Sequence, residues 1–176
     1  MYVEITTFYN IAMTEPKSIY NFSGTSKIEE WQIVNDEVMG GMSMGLIQIN
    51  SEGNGVFSGH VSLDNNGGFC LVRYDLECIK AEDYSSFEIR MKGDGKKYQF
   101  RCKSSDLQRH SYIYSFSSGK DWKIITIPFH KMEPYFRGNS LKMSNYHGDF
   151  LSQVAILIGN NKEEDFKLEI DYINLK

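Results

Sequence analysis

Serine, histidine, carboxylate and arginine side chains are the groups in this chain able to do chemistry, and their spacing limits which chemistry that is. Gly41-Met42-Ser43-Met44-Gly45 matches GxSxG, the nucleophile elbow, whose serine works only between a strand and a helix joined by a strained turn. Leu46 to Asn50 read instead as strand, so a hydrolase using Ser43 or Asp36 ranks behind a binding role. His60, His110, His130 and His147 are scattered, with no HxxxH or HExxH spacing, which disfavours a zinc enzyme. Glu82-Asp83 and Glu163-Glu164-Asp165 fall in connections, where charge runs are usually solvated. Gly93-Asp94-Gly95-Lys96-Lys97 lacks the spacing of a phosphate loop and reads as a hairpin turn between paired strands. No catalytic residue, metal or cofactor is predicted.

Recognition residues are a richer set. Arg73, Arg101, Tyr112, Tyr114 and Arg137 offer planar donors and aromatic platforms suited to a sugar or a partner chain. Core tyrosines with solvated arginines are an equal reading of the same residues. The loop Val34-Asn35-Asp36-Glu37-Val38-Met39-Gly40-Gly41 adds Asn35, Asp36 and Met39, and the turn Asn65-Asn66-Gly67-Gly68 adds Asn66. Methionines such as Met39, Met42 and Met44 suit an adaptable partner surface, though gap-filling is their commoner use.

The elements that must position these groups are strands. Val61 and Leu63 alternate with polar residues before Asn65-Asn66-Gly67-Gly68, and Phe69, Leu71 and Arg73 share one side afterwards, which predicts a hairpin from Phe57 to Arg73. Paired Gly40-Gly41 predict a bulge or tight backbone passage. Phe87, Ile89 and Met91 alternate, as do Tyr98, Phe100 and Cys102, and the two runs are expected to pair. Lys27 to Glu30 read as one helical turn. Residues 1–18 read as an edge strand or arm and 19–176 as one domain, with a loop-rich excursion from His130 to Phe150. About nine or ten short strands without a long amphipathic helix give an all-β antiparallel sandwich or jelly roll.

Composition agrees. The 176 residues are 41% hydrophobic, 24% charged and 14% aromatic, and they can bury a core without a staple. A net charge of −4 argues against nucleic acid as the partner. Cys70, Cys78 and Cys102 form neither an even set nor a CxxC pair, and fit inert thiols in a reducing compartment. There is no apolar run long enough to span a bilayer and no targeting pattern at the N-terminus, so a cytoplasmic location is expected.

Several blocks in order carry a family resemblance: W-Q-I-V-N-D-E-V-M-G-G-M-S from Trp31, F-S-G-H-V-S-L-D-N-N-G-G-F-C-L-V-R from Phe57, K-G-D-G-K-K-Y-Q-F from Lys92, W-K-I-I-T-I-P-F from Trp122, F-R-G from Phe136 and the closing F-K-L-E-I-D-Y-I. Together they resemble the complex I intermediate-associated protein 30 family from about Ile19 onwards. The resemblance implies a galactose-binding-domain-like β-sandwich and, in mitochondrial members, a non-catalytic assembly chaperone for the respiratory NADH:ubiquinone oxidoreductase. Without the transit peptide and long N-terminal extension of those members, this sequence looks like a bacterial-type stand-alone form. Two binding functions follow as expectations. One is an assembly module holding a protein partner, such as respiratory-complex subunits or assembly intermediates; the other is a carbohydrate-binding module.

Overall fold

The computed structural model describes residues 14–36 and 40–176, and in them period-two runs become thirteen strands. In chain order these are β1 (Lys17–Asn21), β2 (Trp31–Asn35), β3 (Met44–Ile49), β4 (Gly55–Val61), β5 (Cys70–Lys80), β6 (Ser86–Lys92), β7 (Lys97–Lys103), β8 (Ser111–Ser117), β9 (Lys123–Pro128), β10 (Glu133–Phe136), β11 (Asn139–Ser140), β12 (Phe150–Ile158) and β13 (Glu164–Leu175). Pairing is antiparallel throughout. One sheet runs β3-β4-β13-β6-β9 with β1 added along β13, and the other runs β11-β10-β8-β7-β12-β5-β2. The all-β sandwich expected from the sequence is the observed fold. Among the described residues no helix is long and apolar enough to cross a membrane.

Two expected hairpins are corrected. β4 lies in the six-stranded sheet and β5 in the seven-stranded one, so the Phe57–Arg73 stretch crosses between layers. Asn65 and Asn66 do adopt positive φ, at 52° and 60°, but within a 3-10 turn over Asp64–Asn66 that carries the chain across. β6 and β7 likewise lie in opposite sheets. Their connection is closed by Asp94, whose carboxylate accepts hydrogen bonds from the Lys96 amide (3.0 Å), the Lys167 amide (3.0 Å) and the Tyr98 hydroxyl (3.1 Å). The excursion from His130 holds one unforeseen hairpin, β10–β11, turned by Arg137 (φ 49°) and Gly138 (φ 79°). The helical turn expected at Lys27–Glu30 is a 3-10 turn over Ile28–Glu30. Residues 1–13 of the expected arm lie outside the described residues, and Lys17 and Ser18 belong to β1.

The core fills the space between the inward faces of the sheets. Phe87 is completely buried, with its ring centroid 4.8 Å from Phe100 and 4.9 Å from Phe129. Tyr98 and Tyr146 are buried as well, and each hydroxyl finds an acceptor, Asp94 and the Phe150 carbonyl (2.8 Å) respectively. A buried phenol with a partner avoids the cost of a stranded polar atom. Removing the ring that joins both sheets leaves a void, so Phe87→Ala is expected to lower unfolding free energy by about 3–5 kcal/mol in a denaturant titration.

Candidate functional site: a cleft on the outer face of the seven-stranded sheet

Register decides which side chains share the outer face. Arg73 stands opposite Ala155 and Ala155 opposite Arg101, while Leu71, Leu157 and Gln99 form the next row. Val34 on β2 joins the row beside Leu71. Ala155 and Leu157 are buried yet stand outside the inter-sheet core cluster, in register with Arg73, Arg101, Leu71 and Gln99 on the outer face. The apolar run Val154–Ile158 is therefore covered on both faces. It was the signal in the sequence that this surface is not a solvated one.

These rows floor a cleft of about 920 Å³ lined by Val34, Asn35, Asp36, Gly68, Phe69, Leu71, Gln99, Arg101, Arg137, Gly138, Leu157 and Gly159. A smaller depression of about 320 Å³ adjoins it through Gln99 and is bordered by Tyr135, Lys131 and Glu133. Of the residues singled out from sequence, Asn35, Asp36, Arg101 and Arg137 come together in the larger cleft. Arg73 shares the face but is engaged elsewhere: its guanidinium donates to Gln32 Oε1 (2.8 and 3.2 Å) and lies 3.6 Å from Asp75. Asn66 is absent from the lining. Tyr114 stands opposite Phe100 and packs partly against the core, and it also lines the smaller depression rather than the larger cleft. Met39 lies outside the described residues. Phe69, Gln99, Leu157 and Tyr135 were not singled out from the sequence. Tyr135 sits on a strand that no periodicity disclosed.

Asp36 lines the edge of the cleft yet is almost completely buried, being 1% exposed. Oδ1 accepts the Ser43 amide (3.1 Å); Oδ2 accepts the Ser43 hydroxyl (2.5 Å), the Gly68 amide (2.7 Å) and the Phe69 amide (3.3 Å). Burial pushes its pKa up, but these donors outweigh burial and hold it below the ordinary value. A Cβ on Gly41 or Gly67 would collide with this carboxylate, so the glycines flanking it are required for close approach. Ser43 is fully buried, donates to Asp36, accepts from the Ser62 amide (3.0 Å) and is followed by β3 rather than a helix. The GxSxG match is thus a structural serine. The Cys70 thiol is also buried, and burial with Asp36 nearby raises its pKa to about 12.

Arg101 is the contrasting charge. Its Nε and Nη2 donate to a single acceptor, Gln99 Oε1 (3.1 and 2.6 Å), and no carboxylate pairs with it among the described residues. Burial lowers its pKa to about 10, which leaves it charged at neutral pH. Arg137 lies over the Phe136 ring at 5.4 Å, shared with Arg109 at 5.1 Å. No group of three or more potential metal-binding side chains occurs among the described residues.

The complex I intermediate-associated protein 30 family model matches residues 20–170. The chain is 22% identical over 190 residues to "Complex I intermediate-associated protein 30, mitochondrial" of Drosophila melanogaster, covering 92% of this chain and 63% of the relative. It is 25% identical over 185 residues to the "Probable complex I intermediate-associated protein 30, mitochondrial" of Caenorhabditis briggsae, covering 92% and 54%. The chain therefore spans little more than half of the curated relatives it matches. Among solved structures it resembles the family 11 carbohydrate-binding module of cellulase Lic26A-Cel5E of Clostridium thermocellum, with a TM-score of 0.67, 20% identity and coverage of 91% and 93%; this likeness shows the sandwich fold.

Because Asp36 is ionised in the fold with a depressed pKa, its stabilisation is complete above the unfolded value near pH 3.9 and is lost as pH falls through the lower folded value. Asp36→Asn is expected to destabilise by about 2–3 kcal/mol at pH 7, with the gap to wild type closing on acidification in pH-dependent urea melts. A gap unchanged down to pH 2.5 would show that the charge is not what holds these loops.

Proposed function

The chain belongs to the complex I intermediate-associated protein 30 family, and from that premise we propose that it is a non-catalytic, assembly-factor-like module that binds a protein partner in the cleft of the seven-stranded sheet. The observation that carries this reading is the floor, where Val34, Leu71 and Leu157 lay aliphatic side chains between two arginines. Aliphatic floors with a few polar groups at the rim suit a peptide segment, whose apolar side chains they bury. Sugars are held chiefly against planar aromatic rings, and among the described residues the larger cleft offers only Phe69. Family membership supports the assembly role, with intermediates of the respiratory complex as the class of partner. The curated relatives named for that role are mitochondrial.

Tyr135 favours a second reading, in which the adjoining depression with Lys131 and Glu133 takes a carbohydrate. The fold likeness to a carbohydrate-binding module is consistent with it. Both readings meet in one experiment with two arms. In affinity capture from native lysate with quantitative mass spectrometry, wild type is expected to retain specific proteins that Leu71→Asp loses at least tenfold, while its melting temperature stays close to wild type. Retention unchanged by Leu71→Asp would contradict the cleft assignment. Glycan-array binding abolished by Tyr135→Ala would establish the carbohydrate reading in its place.

A further inference from the structure

Two arginines on one sheet face are treated oppositely by their surroundings. Arg73 and Arg101 are two strand spacings apart, roughly 10 Å, on either side of Ala155. Arg73 has Asp75 as its counter-ion and Gln32 as a second partner. Arg101 has only the neutral Gln99 side chain, which satisfies two of its five N–H donors. Its other donors are left without an acceptor among the described residues, beside Leu71 and Leu157. Arg101 is half-buried, and a bidentate carboxylate is the group that its remaining donors match in geometry and charge. Asp36, although it lines the same cleft, cannot serve: both its oxygens are spent on Ser43, Gly68 and Phe69. Arg137, across the cleft, adds a second positive charge that no carboxylate pairs among the described residues.

Resting on the protein-binding reading above, we infer that the segment received by this cleft is an extended peptide carrying an Asp or Glu whose carboxylate pairs with Arg101, flanked by apolar residues that settle on Val34, Leu71 and Leu157. The protein's overall charge of −4 makes this local preference for an acid a property of the cleft and not of the surface at large. Charge-assisted, bidentate pairing in a partly dry site fixes register as well as affinity.

The test is selection of a random 12-residue peptide library displayed on phage against the immobilised full chain, followed by fluorescence anisotropy with the enriched peptides. Enriched sequences are expected to contain one acid between apolar residues. Changing that acid to its amide, or Arg101→Gln in the protein, is expected to weaken binding about tenfold or more, and Arg101→Lys to recover part of it. Circular dichroism melts of both variants keep a folding defect distinct from a binding one. Peptides that bind equally well as amides, or to Arg101→Gln, would overturn the acidic preference while leaving the peptide-binding cleft standing. Enrichment of nothing, with polygalacturonate bound instead through Arg101, would overturn both.

Discussion

A single buried carboxylate holds the loops at one end of the cleft together. Asp36 follows Asn35, the last residue of β2 in one sheet, and collects donors from Ser43, just before β3 of the other sheet, and from the connection between β4 and β5. Two nearby segments and a third some thirty residues further on are thereby fixed to two oxygen atoms. Hydrogen bonds to an ionised acceptor are stronger than neutral ones, and a buried charge without them would be untenable. Glycine at positions 41 and 67 follows from the same constraint, since the backbone must come within reach of the carboxylate.

The cleft inherits its form from that arrangement. Gly68 and Phe69, pinned by Asp36, make one end, and the β10–β11 hairpin with Arg137 makes another. Between them the outer face of β2, β5, β12 and β7 supplies an apolar floor crossed by one unpaired guanidinium. The satisfied anion at the rim sets the shape of the cleft, and the guanidinium on its floor is the group on which the proposed preference for an acidic segment rests.

How much of this was legible in the sequence depends on which physical signal each element carries. Strand existence was clear wherever one face is core, as in Phe87-Ile89-Met91 and Tyr98-Phe100-Cys102. Partnership was not, because period two is the same whether neighbouring strands pair or face each other across a core. The asparagines at 65 and 66 did take the left-handed conformation their chemistry suggests, in a turn that crosses layers. Phe69, Leu71 and Arg73 share a side as read, but the side is the outer cleft, with Cys70 and Val72 in the core. Arg101 and Arg137 meet in one cleft, whereas Tyr114 packs partly against the core and lines the smaller depression, and Tyr135 had no periodic neighbours to announce it. Asp36 was visible as a special residue in a glycine-rich loop, yet its inward role depends on amides more than thirty residues away.

Recognition is proposed on the outer face of the seven-stranded sheet and not on that of the six-stranded one. A photo-crosslinking amino acid placed at Gln99, between the two depressions, and in a second protein at Ile124, exposed on the outer face of the opposite sheet, tests that directly. Irradiation in native lysate is predicted to give a discrete protein adduct from position 99 and none from position 124. Adducts from position 124 alone, or equal adducts from both, would contradict it.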